Sequence, residues 1–252
     1  MKKIQLLGIG LGLTFFAATT IAQDDDEPKT FTYATYFYCN VNDQDKVDEI
    51  ADRNAPLMDE QVDKGVISGW GWLAHHTGGQ WRRIRYTTSD SLDGLLAAQD
   101  TINEAFEKKY GVDDPANEIM GAACPRHDDY IWQVENGTVG QERGEVGFSV
   151  YHMCDINREE RADEIVAEHI APILNQFVED GKLTSWGWLS HVVGGRVRRL
   201  QTMTAPDLST LMQARTDAIS AIYDEDSEAG AEFSEICGPH VDYIWNILHQ
   251  NP

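Results

Sequence analysis

The chain has 252 residues and carries 42 Asp and Glu against 20 Lys and Arg, a formal charge of −22 at pH 7. So acidic a surface repels a polyanion and offers no basic stripe from which counterions could be released, which excludes nucleic acid as a partner. The charge bears on solution behaviour and leaves the fold open.

At the N-terminus, Lys2 and Lys3 precede an apolar stretch from Ile4 to Phe16 and small residues from Ala17 to Ala22. This is the pattern of a secretory signal, residues 1–22, cleaved after Ala22. No cysteine follows the apolar stretch, so a lipid anchor is not expected, and no later run approaches the ~20 apolar residues that span a bilayer. The mature protein is expected in the periplasm or outside the cell, with no membrane span. Residues 23–30, with Asp24 to Glu27, read as an acidic solvated tail.

An internal repeat organises the remainder. Gly69-Trp70-Gly71-Trp72-Leu73-Ala74-His75 returns as Ser185-Trp186-Gly187-Trp188-Leu189-Ser190-His191, and Gly78-Gly79 returns as Gly194-Gly195. Arg82-Arg83 returns as Arg198-Arg199, and Asp129-Tyr130-Ile131-Trp132 as Asp242-Tyr243-Ile244-Trp245. Repeat 1 covers residues 31–134 and repeat 2 residues 146–250, with residues 135–145, glycine-rich and charged, as the linker.

Within repeat 1, Phe31 to Val41 has the Tyr, Phe and Thr content of a strand. Asp45 to Lys64 places Val47, Ile50, Ala51, Leu57, Met58 and Val62 at helical spacing, ending at Gly65. Pro56 and its counterpart Pro172 fall inside that helix, where the missing N–H predicts a kink or a short break. Val66 to His76 and Trp81 to Thr88 form a hairpin about Gly78-Gly79. Thr88 and Thr204 are expected N-caps of a second helix, marked by Leu92, Leu95, Leu96, Ile102 and Phe106 in the first copy. Tyr130 to Val134 and Tyr243 to Leu248 close the two units.

The order β-α-β-β-α-β is the ferredoxin-like arrangement, an α+β fold with helices on one sheet face. The other face must be buried elsewhere, and two tandem units achieve this by packing sheet against sheet. In this the chain resembles the dimeric α/β-barrel superfamily, in a fused form where one polypeptide supplies both halves. The resemblance implies a pseudo-symmetric barrel. Members include haem-handling proteins, cofactor-free monooxygenases, isomerases and proteins with no known chemistry, so the fold alone selects no function. Haem is the one cofactor it leaves open.

The cysteines Cys39, Cys124, Cys154 and Cys237 occupy equivalent places in the two copies. In a ferredoxin-like sheet the end of the first strand lies beside the start of the fourth, so Cys39 is expected to pair with Cys124 and Cys154 with Cys237. A thiolate metal site is the rival reading, weakened by the lack of a Cys-x-x-Cys spacing; no metal site is expected.

The hairpin predicts Leu73 opposite Ile84, Gly71 opposite Tyr86, Trp72 opposite Arg85 and Ala74 opposite Arg83, with faces alternating. Gly71 would let a helix approach its own face, which leaves Trp70, Trp72, Arg83 and Arg85, with Trp186, Trp188 and Arg199, facing the barrel interior. Such a lining would hold an anionic or aromatic small molecule. The competing reading is packing, with arginines paired to acids such as Asp155. His75 beside Arg82 and His191 beside Arg198 are the candidate catalytic residues, while His127 and His240 precede the fourth strands. No nucleophile elbow, phosphate loop, His-Glu-x-x-His or calcium loop is present. The sequence therefore supports an exported small-molecule binder first. An enzyme of the cofactor-free oxygenase, isomerase or haem-handling kind comes second, and a structural or interaction module third.

Overall fold

The computed structural model describes residues 29–138, 143–224 and 226–252; the segment expected to be a secretory signal and most of the expected acidic tail lie outside them. Repeat 1 runs β1 (Phe31–Tyr38), α1 (Gln44–Asp63), β2 (Gly69–Gly78), β3 (Arg83–Ser89), α2 (Leu92–Tyr110), α3 (Pro115–Ala123) and β4 (Arg126–Gly137). Repeat 2 opens with β5 (Val146–His152), α4 (Glu159–Ile165), a π-turn over Val166–Ile170 and α5 (Ala171–Glu179). It continues with β6 (Ser185–Val193), β7 (Arg199–Ala205), α6 (Leu208–Ile222), α7 (Glu228–Cys237) and β8 (His240–Asn251).

The eight strands close into one antiparallel barrel in the order β1-β3-β2-β8-β5-β7-β6-β4. Each repeat supplies four neighbouring strands, and the seams are β2 with β8 and β4 with β6. Both disulfides are present as expected, Cys39–Cys124 and Cys154–Cys237. The hairpin register also holds: Gly71 faces Tyr86, Trp72 faces Arg85 and Leu73 faces Ile84.

The assignment of faces is reversed. Leu73, Ile84 and Tyr86 point into the barrel, where they pack with Tyr36, Trp132, Tyr151 and Trp245 from both repeats. Trp70 and Trp72 belong to the core under α1 and α2, and Trp186 and Trp188 to the larger core under the helices of repeat 2. Alternation separates two faces and cannot say which is inside. Gly71 accommodates a side chain and not a helix, since a Cβ there would collide with the ring of Tyr86. The barrel interior is accordingly a filled aromatic core, with a cavity of about 70 Å³ left near one mouth.

The glycine pair of each hairpin is explained across the seam. The Tyr243 hydroxyl accepts the backbone N–H of Gln80 at 2.9 Å, and a Cβ on Gly79 would strike that hydroxyl. Gly194 and Gly195 stand in the same relation to Tyr130. The Gly-Gly and Asp-Tyr-Ile-Trp signatures are thus two halves of one reciprocal clasp between repeats.

Local expectations fail in three places. The N-caps are Ser91 and Asp207, accepting from Gly94 and Thr210; Thr88 and Thr204 are buried in strands. α1 runs uninterrupted through Pro56, whereas the helix containing Pro172 is broken by the π-turn just before it. That turn absorbs a one-residue insertion: the repeats are in step at Asp48 and Asp163 and one residue apart at Pro56 and Pro172. Finally, α3 and α7 were not expected. Asp114-Pro115, an N-cap followed by proline at the first helical position, is the signal that marks α3.

His152, at the end of β5, takes the place of Phe37 and is 5% exposed. Its Nδ1 donates to the carbonyl of Cys237 at 2.9 Å, and Nε2 has no partner among the described residues. Burial pulls its pKa down to about 4. The unfolded chain therefore binds the extra proton first as pH falls below about 6.5. Stability is complete above that pH and is lost towards pH 4, by roughly 3 kcal/mol in total. Urea unfolding of the wild type and His152→Phe at pH 7 and pH 5 should show this component only in the wild type.

Candidate functional site: a helix–sheet cleft in repeat 1

Between the helices and the sheet of repeat 1 lies a cleft of about 310 Å³, at the lower end of small-molecule sites. Its floor is Phe37 of β1, Trp70 and Trp72 of β2 and Arg85 of β3; α1, α2 and α3 form the walls. The indole N–H groups donate to α1, Trp70 to Asp59 at 2.9 Å and Trp72 to Asp48 at 2.8 Å. Sheet and helix are thereby held at a fixed spacing, with aromatic rings exposed to the gap.

The two arginines of β3 differ. Arg83 is fully engaged: it donates to both Asp48 oxygens and to Gln44, the shortest contact being 2.5 Å. Arg85 lines the cleft, and among the described residues no acceptor lies within bonding distance of its guanidinium. Burial pulls its pKa below the usual arginine value, opposed by the more distant Tyr33 and Asp129. An arginine remains charged even so. The cleft floor therefore presents a guanidinium beside the aromatic rings that, among the described residues, no carboxylate engages directly. Asn54, Asn103 and Asn117 add amides to the walls, and at the rim Arg53 is paired to Asp114 at 2.7 Å and stacked over Tyr110.

Repeat 2 lacks this arrangement. Arg199, like Arg83, is spent on acids, Asp163 at 2.7 Å and Glu159 at 3.1 Å, and Gln201 stands where Arg85 stands in repeat 1. Ile170 replaces Asn54 and Phe233 replaces Met120, both buried in the core. The signal for this asymmetry in the sequence is Arg85 against Gln201 in the aligned repeats.

Of the residues expected to line one site, Trp70, Trp72 and Arg85 meet in the cleft. Arg83 and Arg199 are in ion pairs, and Trp186 and Trp188 are core residues whose indoles donate to Asn175 and Asp163. Asp155 pairs with Arg158 at the surface and not with the buried arginines. His75 and His191 lie outside the cleft at the seams, bonded to Arg82 and Arg198 and edge-on to Trp245 and Trp132. Burial and the neighbouring arginine lower the pKa of each.

The cleft lining contains no His, Cys or Tyr, so it lacks the axial ligands that hold haem iron in most haem proteins. Among the described residues no cluster of three or more His, Cys, Asp and Glu could hold a metal. The cleft residues do not fit haem.

No family model and no curated protein sequence matches the chain. Solved structures do. One is a monooxygenase by assignment from Lactobacillus acidophilus NCFM, at 9% identity over 89% of this chain and 96% of that one, TM-score 0.58. Another is an anthrone oxidase-like protein, at 12% identity over 90% and 94%, TM-score 0.54. A third is a chlorite dismutase by assignment, at 10% identity over 87% and 95%, TM-score 0.50. At these identities the likeness is one of fold, and the chain is a fused dimeric α/β barrel.

Proposed function

We propose that the repeat 1 cleft is the working site of a small-molecule enzyme of the cofactor-free monooxygenase kind, acting on an acidic aromatic compound bound as its anion. The observation that carries this reading is Arg85, beside Trp72 in the cleft floor and bonded to no acceptor among the described residues. A phenolate or enolate in that gap would have its charge matched by the guanidinium in a medium of low dielectric, which lowers the pKa of the bound hydroxyl. An organic anion so formed is the electron-rich species that dioxygen attacks. The names of the structural neighbours, a monooxygenase by assignment and an anthrone oxidase-like protein, support turnover over storage. Simple binding without reaction is the second reading. The two disulfides support an oxidising compartment, periplasmic or extracellular.

Arg85→Gln, which installs the residue of repeat 2, provides the test. Titrating the wild type with anthrone or a naphthol should quench tryptophan fluorescence with one site per chain and raise the melting temperature. The variant should lose both responses while its unliganded stability stays equal or rises, because a desolvated guanidinium with no directly bonded acid has been removed. Oxygen uptake with the same compounds separates enzyme from binder. Equal quenching in wild type and variant would remove the cleft from consideration.

A further inference from the structure

The aromatic rings inside the barrel form an unbroken series. Trp132 stacks on Tyr130 with centroids 5.0 Å apart, and Tyr130 meets Tyr36 at 5.6 Å. Tyr36 meets Trp81 at 4.3 Å, and Trp81 meets Tyr151 at 5.0 Å and Tyr243 at 5.3 Å. Tyr243 stacks on Trp245 at 5.0 Å. Contacts this close between oxidisable rings let an electron vacancy migrate from one to the next.

Tyr36, Trp132 and Tyr151 line the small interior cavity, and Trp81, Tyr130, Tyr151 and Tyr243 border a larger one. At the barrel mouth formed by the two hairpin tips, Trp81 borders an open cavity of about 740 Å³ together with Tyr38 and Asp128. A single carboxylate oxygen of Asp128 accepts from the Tyr38 hydroxyl at 2.7 Å and from the Trp81 indole N–H at 2.9 Å. In repeat 2 all three partners are absent: the equivalent positions are Met153, Val197 and Val241.

A phenol that gives up an electron becomes a strong acid, so it is oxidised readily only where a base can take its proton. The tyrosines of the series have no carboxylate hydrogen-bonded to them among the described residues: Tyr36 receives the Trp132 indole N–H at 3.1 Å, and the Tyr243 hydroxyl accepts from backbone amides. Tyr38 has a carboxylate, and burial together with that bond raises its ground-state pKa.

We propose that Tyr38, Asp128 and Trp81 form a one-electron redox site that drains oxidising equivalents from the barrel core. A one-electron oxidant takes an electron from the series, leaving a cation radical on Trp81. Tyr38 passes an electron to Trp81 and its hydroxyl proton to Asp128. The oxidant is reduced by one electron, Trp81 is restored, and the products are a neutral Tyr38 radical and a protonated Asp128. The site is independent of the cleft, which lies on the opposite face of the sheet.

Photogenerated tris(bipyridine)ruthenium(III) serves as the oxidant, with paramagnetic resonance of rapidly frozen full-length protein as the readout. A neutral tyrosyl signal is expected in the wild type. Tyr38→Phe and Asp128→Asn should each replace it with a tryptophan radical, a change of radical identity that loss of a structural contact alone would not produce. Spin-trap peptide mapping on the wild type, which needs no variant to fold, should place the adduct on Tyr38. A tyrosyl signal that survives Tyr38→Phe, an unchanged signal in Asp128→Asn, or an adduct on the surface residues Tyr110 or Tyr223 would each overturn the assignment.

Discussion

Replacing Cys39 and Cys124 together by alanine is expected to lower stability by about 4–5 kcal/mol, and the Cys154 and Cys237 pair by a similar amount. The bridges close loops with sequence separations of 85 and 83, and confining loops of that length in the unfolded chain is worth roughly 4.5 kcal/mol each in the chain-entropy model. A protein of this size has about 5–15 kcal/mol in all, so one lost bridge should lower the melting temperature by about 10–15 °C. Losing both should leave little folded protein at 37 °C. The effect in repeat 1 has a local component, because Cys39 follows the strand that floors the cleft and Cys124 caps the helix that walls it. Calorimetry of each paired-alanine variant measures the loss. A shift under about 4 °C would mean that the cores of the repeats hold without the bridges.

The second large effect is expected at the paired arginines. Arg83 and Arg199 have side chains 5% and 6% exposed, and each holds an acid on the helix above it. Arg83→Ala leaves Asp48 with only the Trp72 indole as a partner, and Arg199→Ala leaves Asp163 with only that of Trp188. Stranding a mostly buried carboxylate typically costs ~3–5 kcal/mol. The lower part of that range is expected, since Asp48 and Asp163 remain 22% and 27% exposed. Arg83→Ala with Asp48→Asn should recover part of the loss, because the amide can stay buried without charge. Chemical denaturation of the single and double variants checks both statements, and an Arg83→Ala protein as stable as the wild type would show that the pair contributes nothing net.

These expectations show where the sequence was legible. The repeat, the strand order, the hairpin register and the disulfide pairing all follow from local patterns that two copies state twice. The face of the hairpin does not: Trp72 and Arg85 on one side and Leu73 and Tyr86 on the other both satisfy alternation. Apolar weight did not decide it either, because Arg83 is buried by an ion pair with Asp48, residues 35 apart in the chain. The last helix of each repeat is hidden by its shortness, although Asp114-Pro115 marks the start of α3. The cleft has one signal in the sequence. Where two copies are otherwise alike, a charge present in one and missing from the other, Arg85 against Gln201, marks a position where packing alone does not set the residue.

The seams of the barrel, β2 against β8 and β4 against β6, have a consequence for how such a site could diverge. Two separate half-chains closing the same ring would be identical, and every substitution would appear on both sides of the twofold. Any change improving one cleft would be forced on the other, including a buried guanidinium and its desolvation cost. A single continuous polypeptide lifts that constraint. One half can keep an open cleft with a desolvated guanidinium while the other is filled with isoleucine and phenylalanine and serves as ballast.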